Sequence, residues 1–323
     1  MQKQYIPKFA YIATVVAIVL GAVTPVAAST NIVTLVAHDS FVISKSQLAE
    51  FKKATGITVK VVRAGDAGAM TNKLVLTKSN PIGDAFFGID NTLRGQATDA
   101  GIVASNKYTA IDYGDVCFNY DRQWFMQART VVPTSWRDLT DPKYRGMTVI
   151  EDPNTSSTGL AFLATTVAAF GDGFTEYWKA LKANGVKVTA GWEDAYYTEF
   201  SGSSGKGTRP IVLSYSTSPA DEVRADGKPG TVNLGTECFR QTEYAGVLAN
   251  AKNAAGAKRL VHFLTTSKFQ RDIPATMYMY PQAKVAIPSG WAKWGKPASS
   301  TLGEKVNFAN RKDWLKSWNE IFG

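Results

Sequence analysis

"YTAIDYGDVCFNY", residues 108–120, reads as one long strand, and what stands on either side of it decides the fold. Before it, strand-like runs alternate with helix-like ones: "NIVTLVAH" (31–38), "SKSQLAEFKKATG" (44–56), "ITVKVVRAG" (57–65), "AMTNKLVLTKS" (69–79) and "DAFFGID" (84–90). After it the alternation starts again with "GMTVIEDP" (146–153), "STGLAFLATTVAAFG" (157–171), "GFTEYWKALKANG" (173–185), "VKVTAG" (186–191), helix-like "WEDAYYTEFSG" (192–202) and "PIVLSYS" (210–216). Strand-helix alternation predicts a parallel sheet covered by helices. Two such series suggest two α/β lobes. The run at 108–120 carries the chain out of the first, and "TVNLGTECFRQTEYAGVLANA" (231–251) brings it back. Two connecting strands between two lobes leave a cleft between them.

The tail adds one helical pattern, "AKRLVHFLTTSKFQRDI" (257–273), then "PATMYMYPQAKVAIP" (274–288) and a last amphipathic helix, "DWLKSWNEIF" (313–322). "SGSSGKGTRP" (201–210) has the Gly and Ser content of a surface turn. The expected division is 29–113 with 239–290 for one lobe and 114–238 with 291–323 for the other.

Residues 1–28 have another logic. Lys3 and Lys8, the uncharged run "FAYIATVVAIVLGAV" (9–23) and "PVAAS" (25–29) form the three-part pattern of a secretory leader, with cleavage expected near Ala28. The run is shorter than the roughly 20 residues of a spanning helix. An exported, periplasmic protein follows, free in solution after cleavage. Of the net charge of +9, the leader carries Lys3 and Lys8, so 9 − 2 = +7 remains. The remaining basic residues are scattered among acids, without the dense block of a nucleic-acid motif. Cys117 and Cys238 are the only cysteines, and in an oxidising compartment an even pair reads as one disulfide.

Catalytic patterns are poorly represented. The chain has two histidines, His38 and His262, no serine in a nucleophile elbow, no tight His/Cys cluster for a metal and no phosphate-cradling glycine loop, so no cofactor is expected. Polar strand ends are abundant instead. Ligands of parallel sheets gather beyond the carboxyl ends of strands, and "HDSF" (38–41), "AGDAG" (64–68), "DPNTSSTG" (152–159) and "SYSTSP" (214–219) all stand there. Each is also what a helix N-cap requires, so the recurrence is the signal. Trp192, Tyr215, Tyr278 and Tyr280 supply flat faces for an organic ring, with packing in the core as the alternative.

Seven motifs in order, "HDSF", "GIDN", "IDYGDVCFNYD", "EDPNTSSTGL", "AGWEDAYYTEF", "LSYSTSPA" and "IPATMYMYP", resemble the thiamine-binding proteins that serve bacterial ABC transporters, over essentially the whole chain after the leader. The resemblance implies a two-lobed type II periplasmic-binding-protein fold that closes on thiamine or its phosphate esters and delivers it, as a monomer, to a membrane permease. It places ligand contacts on Asp66, Ala67, Ser156, Ser157, Trp192 and the run Tyr215, Ser216, Thr217 and Ser218, with His38, Asp39 and Tyr278 beside them. His38 stands where the family often has tyrosine, Tyr278 where it often has tryptophan, and Ser157-Thr158 replaces a Thr-Pro pair. Two alternatives share the fold: a thiaminase-like enzyme with Cys117 as nucleophile, and a ferric-ion binder using Tyr196 and Tyr197. Consecutive helical residues point about 100° apart, which disfavours the second. The even count of exported cysteines favours a disulfide between the two connecting strands over a nucleophile, which would leave Cys117 unable to attack.

Overall fold

The computed structural model describes Met1, residues 31–203 and residues 206–323. The leader reading, beyond Met1, therefore lies outside the described residues, as do Ser204 and Gly205 of the expected surface turn. The first half contains β1 (Ile32–Ala37), α1 (Lys45–Thr55), β2 (Thr58–Arg63), α2 (Ala67–Leu76), β3 (Ala85–Asp90) and the short α3 (Arg94–Asp99). Helix α1 starts in a capping box between Ser44 and Gln47 and stops at Gly56, whose φ of 73° suits a residue without Cβ. Then come the long β4 (Thr109–Asp121), α4 (Arg122–Ala128), β5 (Thr148–Glu151), α5 (Ser157–Phe170), α6 (Phe174–Ala183), β6 (Lys187–Thr189) and β7 (Ile211–Tyr215). The chain returns through β8 (Thr231–Asn233) and β9 (Phe239–Val247), and finishes with α7 (Ala254–Leu264), α8 (Ser267–Met277), β10 (Tyr280–Pro281), α9 (Ser289–Trp294) and α10 (Arg311–Phe322).

The strands form one hydrogen-bonded sheet in the order β2-β1-β3-β9-β4-β7-β5-β6, with β8 and β10 also paired to β4. Strands β1, β2 and β3 are mutually parallel, as are β5, β6 and β7. Strand β9 is antiparallel to both β3 and β4, and β4 is antiparallel to β7. The two parallel sets therefore run in opposite directions. They are also staggered along β4, which pairs with β9 from Thr109 to Val116 and with β7 from Val116 to Tyr120. The carboxyl ends of both sets consequently meet near the middle of β4, and that confrontation creates the cleft.

Apolar packing covers both faces. Phe41, Phe51, Phe87, Leu260 and Phe269 are buried in one cluster, and Trp136, Phe162, Tyr177, Trp178 and Trp318 in another. Each such side chain contributes on the order of 2 kcal/mol by burial. Cys117 on β4 and Cys238, immediately before β9, are joined with Cα atoms 4.8 Å apart, beside the point where β4 changes neighbours.

Three local readings are revised. The pattern over 257–273 is broken at Thr265 and Thr266 into α7 and α8. Helix α8 also runs through Pro274, and burial of Phe269, Ile273, Pro274 and Met277 outweighs the one missing N–H bond. The stretch Asp194–Glu199 is π-helical. Such wide turns are frequent at functional sites.

Candidate ligand cleft

Beyond β1 lie His38, Asp39 and Ser40; beyond β2, Asp66 and Ala67; beyond β5, Ser156 to Thr158; beyond β6, Trp192; and Tyr215 ends β7. The meeting of the two parallel sets brings these ends together. His38, Ser40, Asp66, Ala67, Ser157, Thr158, Trp192 and Tyr215, with Glu243, Met277 and Met279, enclose a cavity of about 30 Å³. That is room for a water or two. It adjoins a wider mouth of about 550 Å³, lined by Asp39, Ser40, Val42, Arg63, Trp192, Glu193, Tyr197, Thr276, Met277 and Tyr278.

Asp66 ties the two sides of the cleft. It is the N-cap of α2 and accepts from the Ala67 N–H. Its Oδ2 accepts from the Trp192 N–H at 2.8 Å and from Ser156 Oγ at 3.0 Å, both on the far side. Next to it the Ala69 N–H donates to Thr155 O at 2.8 Å. Ser156 Oγ also meets Thr158 Oγ1 at 2.9 Å, and Thr158 donates to Glu151. Burial raises the Asp66 pKa, against the opposing pull of the Trp192 N–H, His38, the Ala67 N–H and Ser156.

The floor is a cluster of buried acids around one histidine. His38 Nε2 lies 3.2 Å from Glu243 Oε1, yet no aligned hydrogen bond satisfies it. Burial alone would depress the imidazole; the Glu243 carboxylate outweighs it and the pKa of His38 is raised. Glu243 goes the other way: burial would raise it, but His38 and Asp112 hold it below the ordinary value. Asp112, buried on β4 with both oxygens lacking a hydrogen-bond partner, is pushed well up by burial and by Glu243. Burial likewise pushes Glu151 well up and Asp90 to about 7. His38 and Glu243 thus face each other beside Asp66, each favouring the charged form of the other.

One wall is aromatic. Trp192 stacks on Tyr196 with centroids 4.9 Å apart and planes 17° apart, and its Nε1 donates to Ser214 Oγ at 2.9 Å. Tyr197, Tyr215 and Tyr278 stand at 5.5, 6.1 and 6.4 Å from its ring. Tyr215 Oη donates to Gln241 Oε1, and Gln241 Nε2 donates in turn to Asp90 and Ser157. Each ring is therefore held before any ligand arrives.

The hydroxyl run after Tyr215 sits behind this wall. Thr217 Oγ1 donates to the Tyr278 carbonyl, Ser218 Oγ meets Ser214 Oγ at 3.0 Å, and the buried Ser216 Oγ has no partner. Of the residues expected to touch a ligand, His38, Asp66, Ala67, Ser157, Trp192 and Tyr215 line the cavity, and Asp39 and Tyr278 line its mouth. Ser156, Ser216, Thr217 and Ser218 line neither; the hydroxyls of Ser156, Thr217 and Ser218 bond instead to Asp66, the Tyr278 carbonyl and Ser214. Glu243, Met277 and Met279 line the cavity without having been expected. The signal for Glu243 was the alternation along β9: Phe239, Gln241, Glu243 and Ala245 share the buried face, so two polar residues occupy core positions.

The disulfide is present, so Cys117 has no thiolate with which to attack a ligand. Tyr196 is buried with its Oη on Glu222 Oε1 at 3.0 Å, whereas Tyr197 is 41% exposed and perpendicular to it. Among the described residues no group of three or more His, Cys, Asp or Glu side chains is arranged to hold a metal. Nor, among them, is any helix long and apolar enough to cross a membrane.

Comparison with known proteins gives one consistent outcome. A family model described as "Bacterial extracellular solute-binding protein" matches residues 89–297. The thiamine-binding periplasmic protein of Escherichia coli (strain K12) is 28% identical over 310 residues, covering 89% of this chain and 92% of that protein. The solved structure of a periplasmic thiamin binding protein has a TM-score of 0.78 at 26% identity, over 90% of this chain and 96% of that one. The ferric binding protein from Campylobacter jejuni has a TM-score of 0.72 at 16% identity, over 90% and 99% of the two chains, a likeness of fold. The fold is that of the type II periplasmic binding proteins.

Proposed function

Because the chain belongs to the bacterial extracellular solute-binding proteins, we propose that it captures thiamine in the cleft and delivers it to the permease of an ABC transporter. The observation that carries this reading is the pairing of an aromatic wall, Trp192, Tyr196, Tyr215 and Tyr278, with a floor where acids outnumber the one histidine. Thiamine has two flat rings and one permanent positive charge. Such a cation gains stacking and cation–π attraction of roughly 0.5–2 kcal/mol per face, and the neighbouring carboxylates supply its counter-charge. The thiamine-binding relatives add support.

The cavity of about 30 Å³ is too small for the whole molecule, so the ligand spans cavity and mouth, and the lobes part to admit it. Phosphate esters would extend into the mouth, whose roughly 550 Å³ leaves space for them. The moving bodies are 29–113 with 239–290, and 114–238 with 291–323. In support, α7 packs on β1, β3 and β9, and α10 on α6. The protein works in the periplasm, as a monomer, after loss of its leader. It binds its ligand without altering it, since the cysteine that a thiaminase-like mechanism needs is locked in the disulfide.

Titration calorimetry with thiamine, thiamine monophosphate and thiamine diphosphate, followed by chromatography of the recovered ligand, tests both halves. Saturable 1:1 binding with intact ligand is expected. Absence of binding to all three removes the reading, and separated pyrimidine and thiazole products would make the protein an enzyme.

A further inference from the structure

Glu243, one of the floor carboxylates in the reading above, is the best-placed charge in the cleft. It projects from β9 into the cavity, 4% exposed. His38 and Asp39 face this cluster from the end of β1, Asp66 from the start of α2, Asp90 from β3, Asp112 from β4 and Tyr215 from β7. His38 cannot retreat from it. Behind the ring stands Gly88, at φ +97°, where a Cβ would come within 2.0 Å of the imidazole Cδ2. The imidazole is therefore wedged between the Gly88 backbone and the Glu243 carboxylate, its Nε2 buried, unsatisfied and 3.2 Å from Oε1.

We propose that on capture the ligand's cation replaces the proton of His38 as the counter-charge of Glu243, so that thiamine binding expels a proton. This rests on thiamine being the ligand. Two cations crowded against one buried carboxylate repel each other, and only one of them can leave while the ligand stays. One imidazole N–H bond breaks, its electron pair stays on the nitrogen, and the proton goes to the buffer. The exchange also selects by charge, because a neutral molecule of similar size leaves the histidinium in place and in its way.

The full chain is titrated with thiamine at pH 7 in phosphate and in Tris, whose different heats of ionisation reveal protons released. Release of up to about one proton per thiamine is expected, with affinity rising by up to about tenfold per pH unit while His38 is charged and levelling off above. His38→Gln should abolish both the release and the pH slope. Glu243→Gln should do the same if it folds, since burial then leaves His38 neutral. Thiamine binding without proton release overturns the exchange and leaves the thiamine reading standing. Release that survives His38→Gln comes from Asp66, Asp90 or Asp112 and overturns the assignment to His38. No thiamine binding in either buffer overturns the thiamine reading itself.

Discussion

Trp192 presents a ring whose position is fixed from three sides: by Tyr196 below, by Ser214 at the indole nitrogen and by the backbone contact of its N–H with Asp66. A ligand meeting this face gains contact without having to order it. Trp192→Ala is expected to weaken thiamine binding by about 2 kcal/mol, or roughly 30-fold, and Trp192→Phe to restore much of it. Calorimetry on the folded variants, with melting temperature measured in parallel, checks this; unchanged affinity with a lowered melting temperature would make Trp192 a core residue only. Single residues differed in how visible they were beforehand. Trp192 and Asp66 stand at strand ends, where sequence position alone suggests exposure to a ligand. Glu243 lies inside a strand, where the alternation marks it as a polar residue on the buried face but does not tell a cleft-facing position from a core-facing one. Ser216, Thr217 and Ser218 are ambiguous for the opposite reason, since hydroxyls serve a turn and a ligand with the same chemistry.

At the scale of elements, closure depends on how near α2 can come to the loop before α5. Gly68, in the first turn of α2, has no room for a Cβ: one would lie 2.7 Å from the Thr155 carbonyl carbon and oxygen. Both atoms are backbone and cannot swing aside. Gly68→Val should therefore hold the cleft ajar, lowering thiamine affinity by about tenfold or more while the melting temperature without ligand changes little, because the clash falls between lobes and not within one. An affinity equal to that of the parent would show that the lobes need not approach this closely. The disulfide acts on the other side of the cleft, joining β4 to the start of β9 across 121 residues of chain. Loop-closure entropy for such a span implies a contribution of about 4–5 kcal/mol. Replacing Cys117 and Cys238 together by serine should lower the melting temperature markedly, as read by calorimetric scanning, while folded protein still binds thiamine. The alternating elements were legible from periodicity because each has an apolar face to bury. The break between α7 and α8 was not, since Thr265 and Thr266 fit a helix pattern well enough and only packing selects the turn.

For the whole molecule, the direction of strands explains why charge collects where it does. Two parallel sets pointing at each other across β4 place five acids, Asp66, Asp90, Asp112, Glu151 and Glu243, in one enclosed region. That convergence was not visible in a linear reading, because the five are scattered from residue 66 to residue 243; pairing with β9 sets Asp90 and Asp112 beside Glu243, while Asp66 and Glu151 arrive from the ends of other elements. Its cost appears in the pH dependence of stability. Asp90, pushed up to about 7, and Asp112 and Glu151, also pushed well up by burial, bind protons more tightly folded than unfolded. Their stabilisation is complete below the unfolded carboxylate value near 4 and, for Asp90, lost as pH rises to about 7. His38 has the same sign: its pKa is raised by Glu243, so its share is present below the unfolded value of about 6.5 and lost as pH climbs through the folded one. Glu243 alone opposes, its pKa being lowered, and its share disappears only in acid. The melting temperature should therefore fall between pH 5 and pH 8, by on the order of 5 °C. Thiamine should recover more of it at pH 8 than at pH 5, because a cation compensates the acids only where they are charged. Thermal scans with and without saturating thiamine at pH 5, 6.5 and 8 decide the matter, and a melting temperature that rises with pH would mean the buried acids are ionised and already balanced within the fold.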